Sequence, residues 1–136
     1  MKRTLVSLFI VAGLAALFSG CASGPMTPPD TVTIVDVQSE EIPDSEFTSY
    51  KVKVLYALRN ADHGVVMLGF DLEEPGRYIM LGEQKVDRGV AEVEVLADVR
   101  LPKRNTVTVY TNLSEDPHPS QWTPLAKDSR LLTISE

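Results

Sequence analysis

The chain has 136 residues, 43% of them hydrophobic and 24% charged, a composition that suits one globular domain and excludes a disordered chain. With 13 Lys and Arg against 19 Asp and Glu the formal charge is -6, which repels phosphate backbones and argues against nucleic acid as a partner. The single cysteine, Cys21, leaves no intramolecular disulfide, redox pair or thiolate cage to build, so stability has to come from packing.

At the start of the chain, Lys2 and Arg3 precede an apolar stretch from Leu5 to Phe18. It is too short to cross a hydrocarbon core of about 30 Å comfortably, and small residues follow it. The pattern predicts a signal peptide over residues 1–20, whose removal with Lys2 and Arg3 takes the formal charge from -6 to -8. Leu17, Phe18, Ser19, Gly20 and Cys21 resemble the lipobox of bacterial lipoproteins, in which small residues admit a peptidase to the bond before a cysteine. The resemblance implies lipid on Cys21 and attachment to the membrane through it. Ala22 stands where an aspartate tends to retain the family in the inner membrane, which implies an outer-membrane lipoprotein facing the periplasm. Residues 21–30, with three prolines among small polar residues, read as an extended tether.

From there the pattern has period two. Thr31 to Val37 opens a domain expected over residues 31–136, and its apolar phase changes from Val32 and Ile34 to Val35 and Val37, as a bulge or a change of partner sheet would require. Tyr50, Val52, Val54, Tyr56 and Leu58 share one face of a half-buried strand, with Lys51 and Lys53 on the other. Val65 to Leu72 is apolar on both faces, as in a central strand, and Glu73, Glu74, Pro75 and Gly76 form a turn into Tyr78 to Leu81. Ala91 to Val99 alternates again, with Glu92, Glu94 and Asp98 opposite the apolar face. Val107 and Val109 mark a sixth strand and Arg130 to Ser135 a seventh. No amphipathic helix is visible.

Seven short strands separated by turn residues are the signature of an immunoglobulin-like sandwich. From Thr31 to Ser135 the chain resembles a fibronectin type III or bacterial Ig-like domain in strand order and spacing, although a transthyretin-like or jelly-roll sandwich would read similarly. The resemblance implies an all-β, seven-stranded antiparallel sandwich with the second and fifth strands adjacent, setting Lys51 and Lys53 near Glu92 and Glu94. It also implies that the connections Arg59 to Gly64 and Leu113 to Asp128 share one pole with the entering chain. His63, His118 and Trp122 then form one neighbourhood.

No catalytic constellation is apparent. The acidic residues Glu40, Glu41, Asp44 and Glu46 lack the glycine and spacing of a calcium loop and read as solvated. Glu73 and Glu74 belong to a turn. Two histidines, His63 and His118, are too few for a zinc site, and no nucleophile elbow exists. No metal or cofactor is expected, nor is enzymatic activity. Trp122 lies in a long connection and either closes over the core as a lid or stands out as a binding anchor; a buried aromatic is the commoner arrangement. The resulting expectation is a non-catalytic accessory lipoprotein that binds or positions a protein or cell-wall component, with His63, His118 and Trp122 as candidate binding residues. The alternative is a structural subunit of an envelope secretion or pilus assembly, joined through a sheet edge. Since each buried methylene contributes about 0.8 kcal/mol of membrane affinity and the rest of the chain is acidic, Cys21→Ala should move the protein from the membrane to the soluble fraction. Fractionation of cells checks this, and a Cys21→Ala protein that still sediments with membranes would refute it.

Overall fold

The computed structural model describes residues 26–117 and 123–134. The chain forms five antiparallel strands, β1 (Thr31–Glu41), β2 (Phe47–Glu74), β3 (Arg77–Arg100), β4 (Thr106–Glu115) and β5 (Ala126–Thr133), with no helix among the described residues. β2 is the hub. At Lys53 it pairs with Asp36 of β1 and Glu94 of β3, which therefore lie on its opposite edges. Farther along, Val66 pairs with Gln84 of β3 and Leu113 of β4. β4 in turn pairs with β5, giving the order β1-β2-β4-β5 with β3 along the other edge of β2.

The sheet is strongly curled. Tyr50 and Phe70 are twenty residues apart on β2, about 65 Å in a straight strand. Their rings nevertheless meet, with centroids 5.2 Å apart. The two halves of β2 thus face each other across the core. Period-two alternation supplies that core from both halves: Tyr50, Val52, Val54, Tyr56 and Leu58 from the first, and Val66, Leu68 and Phe70 from the second. Val32 and Ile34 of β1, Val95, Ala97 and Val99 of β3, and Val107, Val109 and Leu113 of β4 complete it.

Seven strands are expected from the sequence and five are present among the described residues. The second and third expected segments are both part of β2, and the fourth and fifth are both part of β3. Arg59 to Gly64 reads as a loop because Arg59, Asn60, Asp62 and His63 are exposed. There the backbone makes a corner instead of leaving the sheet, and a register shift between Leu58 and His63 absorbs the bend. The last strand also begins earlier than Arg130. Ala126 pairs with Leu113, so the long connection shrinks to residues 116–125. Lys127, Asp128, Ser129 and Arg130 lack apolar alternation because they lie on an edge strand, where polar side chains serve as contacts.

Two sequence features have direct counterparts. The phase change in β1 is a bulge between Ile34 and Asp36, which leaves Val35 exposed and returns Val37 toward the core. Lys53 does face Glu94, whereas Lys51 faces Leu96 and Glu92 faces Leu55, so one of the two expected charge pairings is in register.

The outer edges of the curled sheet also meet. Ile34 N–H donates to Asp128 Oδ2 at 2.8 Å, and Arg130 Nη2 donates to the Ile34 carbonyl at 3.0 Å, joining β1 to β5. On the other side β3 abuts itself. A Cβ placed on Gly82 would stand 2.6 Å from the Leu96 carbonyl oxygen, so only glycine permits this approach.

Asp71 holds the far end of the sheet together. The ladder between β2 and β4 ends at Phe70 and Val109, and the next donor, Thr108 N–H, bonds to Asp71 Oδ1 at 2.6 Å. Arg104 Nη2 reaches the same oxygen at 3.0 Å. Asp71 is only 4% exposed, so removing its carboxylate strands a half-buried guanidinium and a backbone donor. Asp71→Ala should cost about 3–5 kcal/mol, the usual penalty for breaking a buried pair by deleting one partner. Urea denaturation checks this, and a loss below about 1 kcal/mol, the value of a surface pair, would show that the carboxylate does not organise this end.

Candidate binding groove

Two regions bring functional side chains together. The first is the pole where the chain enters. Asp30 Oδ1 accepts Arg59 N–H at 2.6 Å and Asn60 N–H at 3.1 Å, while its Oδ2 accepts Asn60 Nδ2 at 2.8 Å. Burial acts to raise the Asp30 pKa, but these hydrogen bonds and the Arg59 charge outweigh it and hold the carboxyl below its ordinary value of 3.8. The stabilisation it provides is therefore present above that value and is lost as pH falls through the lowered pKa.

His63 lies at the same pole. Its carbonyl accepts Asp116 N–H at 3.1 Å, which brings the Arg59 to Gly64 corner beside the start of the 116–125 connection. Its Nδ1 is 2.9 Å from Asp87 Oδ1, and Lys85 Nζ is 3.3 Å from Asp116 Oδ2. Arg88 pairs with Asp62 at 3.0 Å. Asp116 is 29% exposed and the other partners more than half exposed, so each pair contributes modestly to stability. His118, Trp122 and Cys21 lie outside the described residues.

The second region is a groove of about 340 Å³ on the outer face of the sheet, lined by Tyr78, Tyr110, Asn112, Lys127, Asp128 and Ser129. Its floor depends on Gly69. Gly69 of β2 pairs with Met80 of β3 on one edge and Tyr110 of β4 on the other. Strands two apart are separated by roughly 9.6 Å, so side chains from β3 and β4 meet only if nothing stands on β2 between them. With no side chain at position 69, Tyr78 reaches across and stacks on Tyr110, the centroids 4.7 Å apart and the planes inclined by 29°. A Cβ on Gly69 would lie 2.8 Å from Met80 Sδ and 3.1 Å from Tyr78 Cδ2.

Beside this aromatic pair lie Asn112 and Lys127, which face each other across the ladder between β4 and β5. Asn112 is 3% exposed and its Nδ2 has no hydrogen-bond partner among the described residues. A buried donor left unpaired costs about 1–3 kcal/mol, which an acceptor brought by a ligand can recover. Lys127 has no carboxylate within ion-pair distance among the described residues. Asp128 is engaged by Ile34 N–H through Oδ2. The groove therefore combines a flat aromatic surface, an unpaired amide donor and a cation.

A concavity of about 670 Å³ follows the turn from Glu41 to Thr48. Its acidic residues are exposed, and Glu46 pairs with Arg100 at 2.8 Å. It has the character of a solvated turn. Among the described residues no three His, Cys, Asp or Glu side chains are grouped to hold a metal ion.

Nothing in the sequence alone marks Tyr78, Tyr110, Asn112 or Lys127 as parts of one site. The available signal was Gly69, an isolated glycine within an otherwise apolar strand, which marks a close approach by a neighbour. No protein-family model matches the chain, and no curated protein matches it in sequence. Gly69→Ala should push Tyr78 and Met80 from their places at a cost of about 1–3 kcal/mol, as overpacking does, and unstack the tyrosine pair. Thermal denaturation and near-ultraviolet circular dichroism measure the two effects; a Gly69→Ala protein with unchanged spectrum and stability would separate the stacking from Gly69.

Proposed function

We propose that this protein is a lipid-anchored periplasmic lipoprotein whose β domain, without catalytic machinery of its own, holds a glycan segment of the cell wall in the Tyr78–Tyr110 groove. The anchor rests on the likeness of Leu17 to Cys21 to a lipobox. For the domain we infer a fibronectin type III-like sandwich. With the corner dividing β2 and β3 into halves, β1, the first half of β2 and the second half of β3 make one layer. The first half of β3, the second half of β2, β4 and β5 make the other. This three-plus-four division has the pairing order of that fold and contains the seven segments of the sequence reading.

One observation carries the functional reading: the stacked tyrosines in a groove whose six lining side chains all bear polar groups. A sugar ring has a flat face of C–H groups to lay on an aromatic ring and hydroxyls around its rim, so it matches both components. An apolar peptide anchor would need an aliphatic pocket, which these residues do not form. Strand addition at an edge, on which a structural-subunit role depends, has less to work with. β1 and β5 meet through Asp128 and Arg130, and β3 is obstructed where Gly82 meets Leu96.

The test is co-sedimentation of the full chain in detergent with purified peptidoglycan sacculi. The protein should pellet with the sacculi, and Tyr110→Ala should lower retention about tenfold, in keeping with the loss of one aromatic contact. Retention by a folded Tyr110→Ala variant equal to that of the unaltered protein would remove the groove as the site.

A further inference from the structure

The groove has an electrostatic preference as well as a shape. We infer that its ligand is an acidic saccharide, with a ring carried on the tyrosine pair and a carboxylate received by Lys127 and Asn112; this rests on the glycan reading of the groove. Lys127 and Asn112 occupy opposed positions on β5 and β4, one strand spacing apart. A single carboxylate has two oxygens and can take a hydrogen bond from each of two donors at that spacing.

Lys127 is the cation among the residues that line the groove. Lys85, Arg88, Arg100 and Arg104 are all within 4.0 Å of a carboxylate of this chain, at 3.3, 3.0, 2.8 and 3.0 Å. Lys127 has none within that reach among the described residues, and neither do Lys51, Lys53, Arg59, Arg77, Lys103 and Arg130, but of these Lys127 alone lines the groove. The acid in the groove, Asp128, accepts the Ile34 N–H on β1. Its charge works against an anion, so Lys127 and the Asn112 amide have to act together. Asn112 Nδ2 supplies the independent sign of a ligand. It belongs to a residue only 3% exposed that lines the groove, and it lacks an acceptor among the described residues. A neutral sugar satisfies the tyrosines and leaves Lys127 without a counter-charge. An acidic sugar satisfies all three groups.

Two disaccharides separate these possibilities. Peptide-free N-acetylglucosaminyl-N-acetylmuramic acid carries a free lactyl carboxylate, and chitobiose in its N,N′-diacetyl form has the same sugar rings without it. Nuclear magnetic resonance titration of the full chain in detergent, followed at the tyrosine and asparagine side chains, should show the acidic disaccharide binding about tenfold more tightly than chitobiose, with shifts at Tyr78, Tyr110 and Asn112. Lys127→Gln should abolish the preference, and Lys127→Arg should keep most of it. Lys127 is exposed, so these substitutions leave the core intact. Equal binding of the two disaccharides would overturn the acidic specificity while leaving the glycan groove standing. If neither shifts the groove residues, the glycan reading fails and the acidic specificity falls with it. A preference that persists in Lys127→Gln would place the carboxylate elsewhere and overturn the assignment.

Discussion

Pairing of β2 along both of its edges is the constraint from which the other strands take their positions. From Thr48 to Ala57 each of its residues has β1 on one side and β3 on the other, and from Gly64 to Phe70 each has β3 and β4. A strand so held cannot slip by one residue without turning Val52, Val54, Leu68 and Phe70 out to solvent and bringing polar neighbours inside. Because these side chains are fully buried, the register is set by the hydrophobic effect more strongly than by any single hydrogen bond. The corner after Leu58 then converts one long ladder into two facing surfaces, and the contact of Tyr50 with Phe70 closes the space between them.

The groove follows from the same register. Gly69 has its place on the outer face because Leu68 and Phe70 are fixed inside, and that face alternates with the core. The pairing of Gly69 with Tyr110 puts one ring next to the gap, while a register shift in β3 between Leu68 and Gly69 brings Met80 opposite Gly69 and Tyr78 within reach. A glycine in the middle of a strand weakens it through backbone entropy and lost packing. Here the stacked tyrosines cover the gap, so the local loss is offset by aromatic contact. The same arrangement leaves a flat aromatic surface in a domain otherwise poor in aromatics.

The sequence revealed the strands wherever one face is buried and the other exposed, because alternation then records the environment directly. Tyr50 to Leu58 and Ala91 to Val99 are such segments, and even the bulge after Ile34 was legible as a change of phase. The corner at Arg59 to Gly64 was not, since exposed polar residues look alike whether the backbone turns within a sheet or leaves it. β5 was truncated for a related reason. Asp128 and Arg130 are polar because they bond to the backbone of β1, a long-range contact without a periodic signature. The candidate site was hidden for a third reason: Tyr78, Asn112 and Lys127 belong to three strands and become neighbours only through cross-strand register.

The entering chain and the groove occupy different parts of the domain. Asp30 is tied to Arg59 and Asn60 at the pole, whereas the groove begins along the ladder at Asn112 and continues past Tyr110 on the outer face. Under the proposed lipid anchor this separation has a physical use. A site among the pole loops would face the anchoring surface and have to compete with it for space. A lateral groove lets the proposed glycan run across the sheet while the proposed tether leaves from the end. The charges fit the same division: Arg88 and Lys85 at the pole are matched by Asp62 and Asp116, while Lys127 on the lateral face is available to a ligand.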